Sequence, residues 1–215
     1  THCISSAASD VYKRQPAVPQ NPFATLDPLL EQLCASLDAV VMLPGSDDPT
    51  SATLPQQPLL LPLLPRSSRW DSLHCVTNPT WCSLHGRNVL ATSGQNIDDL
   101  LRYLPAEQQD ASAPLDLALA TLRWAHVAPS APDTLWCYPF KATDPFIIRA
   151  APDVYVVGNQ RAFGTTTMDV TLDDQQTHTV RVVLVPAFSE THQIILLDPA
   201  TLAVRVVSLA VDTQP

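Results

Sequence analysis

The sequence is short of charge, of glycine and of paired cysteines, and each shortage removes a class of reading. Only 15% of its 215 residues are charged while 46% are apolar, a globular composition with an unusually neutral surface. Such a surface suits either a partner that covers it or a missing part of the same protein. Five glycines stand against twenty-one prolines. No phosphate-cradling glycine loop and no Gly-x-Ser-x-Gly nucleophile turn occurs, since Thr92-Ser93-Gly94 is only a strand-to-helix turn. The prolines imply long ordered loops in extended conformation.

Five cysteines without a Cys-x-x-Cys pair suit free thiols in a reducing compartment better than a disulfide framework. Cys75 and Cys82, seven apart on what read as adjoining strands, are the one pair with the spacing of a zinc half-site. His74, His85, His126, His178 and His192 are scattered without ligand spacing and read as surface or hydrogen-bonded histidines. No apolar run is long enough to cross a membrane: Pro58 to Pro65, PLLLPLLP, is short and broken by three prolines. No signal peptide is readable. With 12 basic and 21 acidic residues the net charge is −9, which repels phosphate backbones and argues against duplex DNA as a direct partner.

Ser5 to Gln15, SSAASDVYKRQ, reads as a translated sequencing-library adapter, so residues 1–15 are set aside as a non-native tail. The rest then carries 10 basic and 20 acidic residues, a net of −10. Residues 16–215 fit one domain by length, expected to be part of something longer.

The stretch that organises the chain is Ala39 to Pro58, AVVMLPGSDDPTSATLPQQP, where a β-branched run enters a loop dense with turn residues. Ala39 to Leu43 is expected to be a buried strand, and in α/β sheets ligands sit in the loops at the strands' carboxyl ends. Before it, Thr25 to Leu37 spaces Leu26, Leu29, Leu30, Leu33, Cys34 and Leu37 as a helical apolar face, with Asp27 as N-cap and Pro28 in the first turn. Gln56 and Gln57, between prolines, either pin the loop's backbone or are solvated.

Farther on, His74 to Thr77 and Val89 to Ser93 read as strands joined through Trp81 to Asn88 with Gly86 at the turn. Thr92 to Asn96 opens a helix carrying Ile97, Leu100, Leu101 and Leu104, capped by Ser93 or Asn96. Pro114 to Trp124 is a second helix, with Leu115, Leu119 and Leu122 on one face, after a Gln- and Ala-rich linker from Glu107 to Ala113. Val127 to Ile148 is an aromatic, proline-rich loop that either covers the core or meets a partner, with core cover favoured. Five β-branched runs follow: Asp153 to Val157, Thr166 to Leu172, Val180 to Pro186, Gln193 to Leu197 and Val204 to Leu209. They are expected to be antiparallel and parted by turns such as Asp173-Asp174. The fold class is α/β, as layered sheets flanked by helices.

Four blocks, LPGSDDPTSATLPQQPL, TSGQNIDDLLRYL, APDTLWCYPFKATDPFI and VYVVGNQRAFGT, in that order, resemble the second (B, or small regulatory) subunit of eukaryotic DNA polymerase delta. The resemblance covers Phe23 to Leu209. It implies a calcineurin-like phosphoesterase domain, a four-layer β-sandwich flanked by helices, here N-terminally truncated and lacking an upstream oligonucleotide-binding-type domain and the first sheet strands. It also implies that catalysis has been lost. Calcineurin-like enzymes build a two-metal site from Asp, Asn and His at strand ends. At the Gly-Asn-His-Asp/Glu position this chain has Pro44-Gly45-Ser46-Asp47, and at the Gly-His-x-His position Gly158-Asn159-Gln160-Arg161. Amides cannot replace imidazoles at such a site, and Arg161 brings a cation where a metal belongs. No catalytic residue, metal or cofactor is therefore expected.

The function so implied is a nuclear, noncatalytic accessory subunit. Its partners would be the cysteine-rich C-terminal region of the polymerase delta catalytic subunit and a further accessory subunit. Trp136, Tyr138 and Phe140 are the first candidates for that contact, and the loop of Leu54, Gln56 and Gln57 the second. Two other readings stand beside it. One is an active phosphoesterase with an atypical site; the other is the small regulatory subunit of polymerase alpha or epsilon, which by the resemblance lacks the LPQQPL and APDTLWCYPF blocks.

Overall fold

The computed structural model describes residues 21–171 and 177–209, so the adapter-like stretch and the Asp173-Asp174 turn lie outside the described residues. The chain forms two compact units. One takes in the residues up to Val41 with Leu60–His74; the other takes in Met42–Leu59 and the chain from Cys75 on. No helix among the described residues is long and apolar enough to cross a membrane.

The first unit is built on helix α1 (Pro22–Ser36), which begins earlier than its apolar spacing predicts. Asn21, not Asp27, is the N-cap: its side chain accepts the Phe23 N–H at 3.1 Å, and Pro22 fills the first helical position, where a missing N–H costs nothing. Pro28 consequently lies inside the helix. Asp27 turns inward and is buried, accepting the N–H groups of Arg66 and Ser67 at 2.9 Å each and the Ser67 hydroxyl at 2.6 Å. It thus caps the short 3₁₀ turn Ser67–Arg69 rather than its own helix. The buried face is Phe23, Asp27, Leu30 and Cys34, whereas Leu29, Leu33 and Leu37, predicted to lie on it, are about half exposed.

Strand β1 (Val40–Met42) is the main departure from the sequence reading. It is only partly buried and pairs with β2 (Leu73–Cys75) in a two-stranded ladder instead of entering a large sheet.

The second unit holds a five-stranded mixed sheet. Its strands are β3 (Thr80–Leu84), β4 (Arg87–Thr92), β5 (Val154–Gln160), β6 (Gly164–Thr171) and β7 (Thr177–Pro186), in the order β3-β4-β5-β7-β6. β3 and β4 form a two-residue hairpin closed at His85-Gly86, both at positive φ (49° and 77°), as a primed turn demands. The predicted partner of this hairpin, His74 to Thr77, instead becomes β2. β4, β5 and β7 run parallel, so the last third is not wholly antiparallel as expected; β6 alone returns against β7. The reason is the crossover from β4 to β5 through helices α2 (Gln95–Leu101) and α3 (Ala113–Arg123), which is long enough to bring a parallel strand back alongside.

Strand alternation sorts the core. Leu90, Tyr155, Val157, Val182 and Leu184 meet Ile97, Leu100, Leu117 and Ala118 on the helix side. Val89, Val154 and Val183 face the other side, where Ile195, Leu197 and Val204 of the hairpin β8 (Gln193–Leu197) and β9 (Val204–Ser208) pack. A short helix α4 (Phe188–Thr191) joins β7 to β8. Arg87 ties this hairpin's turn to the sheet, donating to the carbonyls of Pro199 and Ala200 while its guanidinium lies 3.4 Å from Asp153.

Candidate functional site

The parallel strands β4 and β5 end side by side, and the loop 44–48 meets them there. Gly94, two residues past the end of β4, has φ 100° and is the N-cap of α2; neither Ser93 nor Asn96 caps it, contrary to the sequence reading. Both are engaged elsewhere. Ser93 bonds Asn78 through its N–H (3.1 Å) and its hydroxyl (2.7 Å), and Asn96 is buried, donating to the Val127 carbonyl at 2.7 Å and the Tyr155 hydroxyl at 3.2 Å. Burial pushes the Tyr155 phenol above its ordinary value, against hydrogen bonds from Thr121 and Asn96.

Gln56 is the hub of the site. It is 1% exposed, and its amide oxygen accepts from Asn78 (2.8 Å) and Gln95 (2.9 Å). Its amide nitrogen donates to the carbonyls of Gly45 (2.9 Å) and Ser51 (3.2 Å). Backbone bonds between Gln56 and Asn78, 2.7 and 3.2 Å, double the link. Of the two readings of this glutamine, the pin is the one that holds.

The two loops singled out in the sequence do come together. Gly45 and Asn159 face each other so closely that a Cβ on Gly45 would stand 3.5 Å from the Asn159 amide nitrogen. That nitrogen donates to the Ser93 carbonyl at 3.2 Å, with Asn159 in the left-handed region at φ 52°. Asp48, rather than Asp47, turns in, accepting the Gly45 N–H at 2.7 Å; Ser46 and Asp47 are exposed. Gly158 packs against the end of β4. Arg161 lines a cleft of 380 Å³ with Asp98, Arg102, Asn159, Gln160 and Glu190. Burial pushes the Asp98 carboxyl above its ordinary value, and the cations of Arg161 and Arg102 and a hydrogen bond from Gln160 pull the other way.

Among the described residues no three His, Cys, Asp or Glu side chains stand where they would hold one metal ion. Two of the scattered histidines are hydrogen-bonded: His126 Nε2 lies 2.9 Å from Asp144, and His178 Nε2 3.1 Å from the Pro152 carbonyl. Cys34, Cys82 and Cys137 are free thiols.

A second feature is the segment 127–148. Its backbone is tied at several points: Val127 N–H to the Phe146 carbonyl and Ile148 N–H to the Ala125 carbonyl, both 2.8 Å, and Leu54 to Trp136 and Tyr138 through two 2.8 Å bonds. The buried carboxylate of Asp99 accepts from Ser130 and from Thr134. Phe146 is buried, as a core cover should be. Trp136, Tyr138 and Phe140 are 67, 59 and 47% exposed, so for these three the favoured expectation of core cover is overturned. Tyr138 and Phe140 meet edge to face, with ring centroids 5.1 Å apart. Leu54 and Gln56 are buried and support this surface from beneath; of the second candidate group only Gln57 is exposed. Asn78, Ser93 and Gln95 belong to the site without having been singled out for it; the only local sign was the density of turn residues around each.

The model of the DNA polymerase alpha/epsilon B-subunit family matches residues 2–165. The chain is 41% identical over 170 residues to the DNA polymerase delta small subunit of Arabidopsis thaliana, which takes in 79% of this chain and 36% of that protein. It is 41% identical over 179 residues to DNA polymerase delta subunit 2 of Drosophila melanogaster (81% and 38%) and 37% identical over 196 residues to the DNA polymerase delta small subunit of Saccharomyces cerevisiae (80% and 39%). It thus spans 36 to 39% of the length of these relatives. With a family match over most of its length and delta small subunits as its relatives, the chain belongs to the DNA polymerase alpha/epsilon B-subunit family.

Proposed function

We propose that the chain serves as part of a nuclear, noncatalytic accessory subunit of DNA polymerase delta, linking the catalytic subunit to a further accessory subunit in replication and repair synthesis. The observation that carries this reading is the state of the strand-end loops. Where a calcineurin-like phosphoesterase would present carboxylates and imidazoles, this chain has amides and backbone groups already bonded to one another: Gln56 to Gly45 and Asn78, Asn78 to Ser93, and Asn159 to Ser93. Ser46, Asn159 and Arg161 do not fit a two-metal centre, because neither an alcohol, an amide already donating, nor a guanidinium supplies the ligand that is needed. The loops hold strands together instead of opening a site. On this reading the fold is a degenerate calcineurin-like sandwich, residues 1–15 are foreign to it, and the remainder is one part of a longer domain.

The contact with the cysteine-rich C-terminal region of the catalytic subunit is placed at Trp136, Tyr138 and Phe140. Large aromatics exposed on a backbone that is already fixed lose little entropy on binding and make strong anchors. The test is to extend the chain to the full length of a delta small subunit, change Trp136→Ala and Tyr138→Ala, and measure both the melt and the capture of that C-terminal region. Lost capture with an unchanged melt supports the interface; unchanged capture removes these residues from it. A wild-type subunit that captures nothing overturns the assignment.

A further inference from the structure

We propose that the Tyr138–Phe140 ridge is a docking site for an extended, proline-bearing segment with an acidic residue, an inference that rests on reading this loop as an interface and names the chemistry of what it takes. The ridge stands between two clefts, of 420 and 370 Å³, and both rings line both of them. The second cleft is completed by Ser51, Thr53, Pro55 and Gln57 and has no charged residue in its wall. Two shallow slots parted by one aromatic step are matched to a segment in polyproline conformation: its rise is about 3.1 Å per residue, so side chains two apart are separated by about 6 Å and straddle a ring pair.

Strand addition is excluded at the ridge itself. The Tyr138 N–H is already bonded to the Leu54 carbonyl at 2.8 Å and the Phe140 N–H to the Tyr138 carbonyl at 2.9 Å, and Pro139 has none. An incoming chain therefore finds no backbone donors there and is read by its side chains. The charge is also specific. The chain has two lysines, Lys13 and Lys141, and Lys141 lines the first cleft. The carboxylate in that wall, Asp144, has its partners elsewhere, accepting from His126 at 2.9 Å and from the Phe146 N–H at 2.8 Å rather than pairing with Lys141. Among the described residues Lys141 makes no ion pair, so a cation is available in a chain whose overall charge of −9 repels acidic ligands elsewhere. An acidic residue beside the prolines complements it.

The test is fluorescence anisotropy of the full 215-residue chain with three labelled peptides of equal length. One is polyproline with a central glutamate, one is polyproline with lysine in that place, and one is a Gly-Ser peptide with the glutamate. The first is expected to bind at least about tenfold more tightly than the others, and Tyr138→Ala or Phe140→Ala to weaken it by about tenfold or more. Lys141→Glu is expected to reverse the preference between glutamate and lysine. All three side chains are exposed, so the melts are expected to stay put. No binding of the first peptide, equal binding of the Gly-Ser peptide, or a preference for lysine in the unaltered chain overturns the inference. If capture of the catalytic subunit's C-terminal region depends on Trp136 and Tyr138 while the first peptide fails to bind, the inference falls and the proposed interface stands. If the first peptide binds as stated while that capture ignores the substitutions, the inference stands and the proposed interface falls.

Discussion

Gly94→Ala tests whether the strand ends are locked as described. At φ 100° any side chain is strained, by about 1–2 kcal/mol for a left-handed conformation. The added Cβ would also press into the Gly158 carbonyl oxygen and come within 2.7 Å of the Gln160 amide nitrogen. The amide is the end of a side chain and can swing away, but the carbonyl is backbone of β5, held between Val157 and Gln160, which both pair with β7. Overpacking of that kind adds about 1–3 kcal/mol, for a total of ~2–5 kcal/mol. For a chain of this size that is a fall in melting temperature of about 4–20 °C. Gly86→Ala is the internal control: φ is 77°, but the added atom meets nothing within 4 Å, so only the strain remains, about 1–2 kcal/mol. Thermal melts of both variants followed by circular dichroism decide the matter. Adding Gln160→Ala to Gly94→Ala is expected to restore little, since the carbonyl stays. A Gly94→Ala chain that melts at or above Gly86→Ala, or one fully rescued by Gln160→Ala, would refute the close approach of the two strand ends.

Burial by itself would raise the Asp27 carboxyl, but hydrogen bonds from Ser67 and Arg66 outweigh it and hold the group below its ordinary value of 3.8. A depressed folded value means that the stabilisation is complete above the unfolded value and is lost as pH falls through the folded one. Asp27→Asn is therefore expected to lower stability by about 2 kcal/mol near neutral pH, with the gap to the unaltered chain closing below pH 3.8; a gap independent of pH would count against the assigned role. With manganese and a model phosphodiester, turnover is expected to match a boiled control, and turnover above it that Asp47→Ala abolishes would overturn the noncatalytic reading. In anisotropy titrations at about 150 mM salt a labelled duplex is expected to show no binding to this acidic chain, and micromolar affinity with a steep salt slope would contradict that. Gln56→Leu removes the hub while filling its space, leaving the amides of Asn78 and Gln95 without their acceptor. A loss of ~1–3 kcal/mol is expected, and a chain that melts unchanged would show the network to be dispensable.

Residue order alone was enough for the features that short-range chemistry controls. The family resemblance was carried by four whole blocks of sequence; the turn at Gly86, the strand Gln193–Leu197, the start of α2 and helix α3 within a residue were legible from turn residues, alternation and helical spacing. Those signals act over a few residues and need no knowledge of the rest of the chain. Long-range packing settled which polar groups meet and which apolar ones are left out. Asp27 has the composition of an N-cap, yet it caps a turn 40 residues away, because burial makes three N–H and O–H donors there worth more than one on its own helix. Gln56 reaches Asn78 and Gln95 across 22 and 39 residues, a link that no local pattern encodes. The aromatics of 136–140 are indistinguishable by composition from Phe146. The backbone ties at Leu54 and Val127 and the Asp99 carboxylate's hold on Thr134 decide that Phe146 points into the core and the other three away from it.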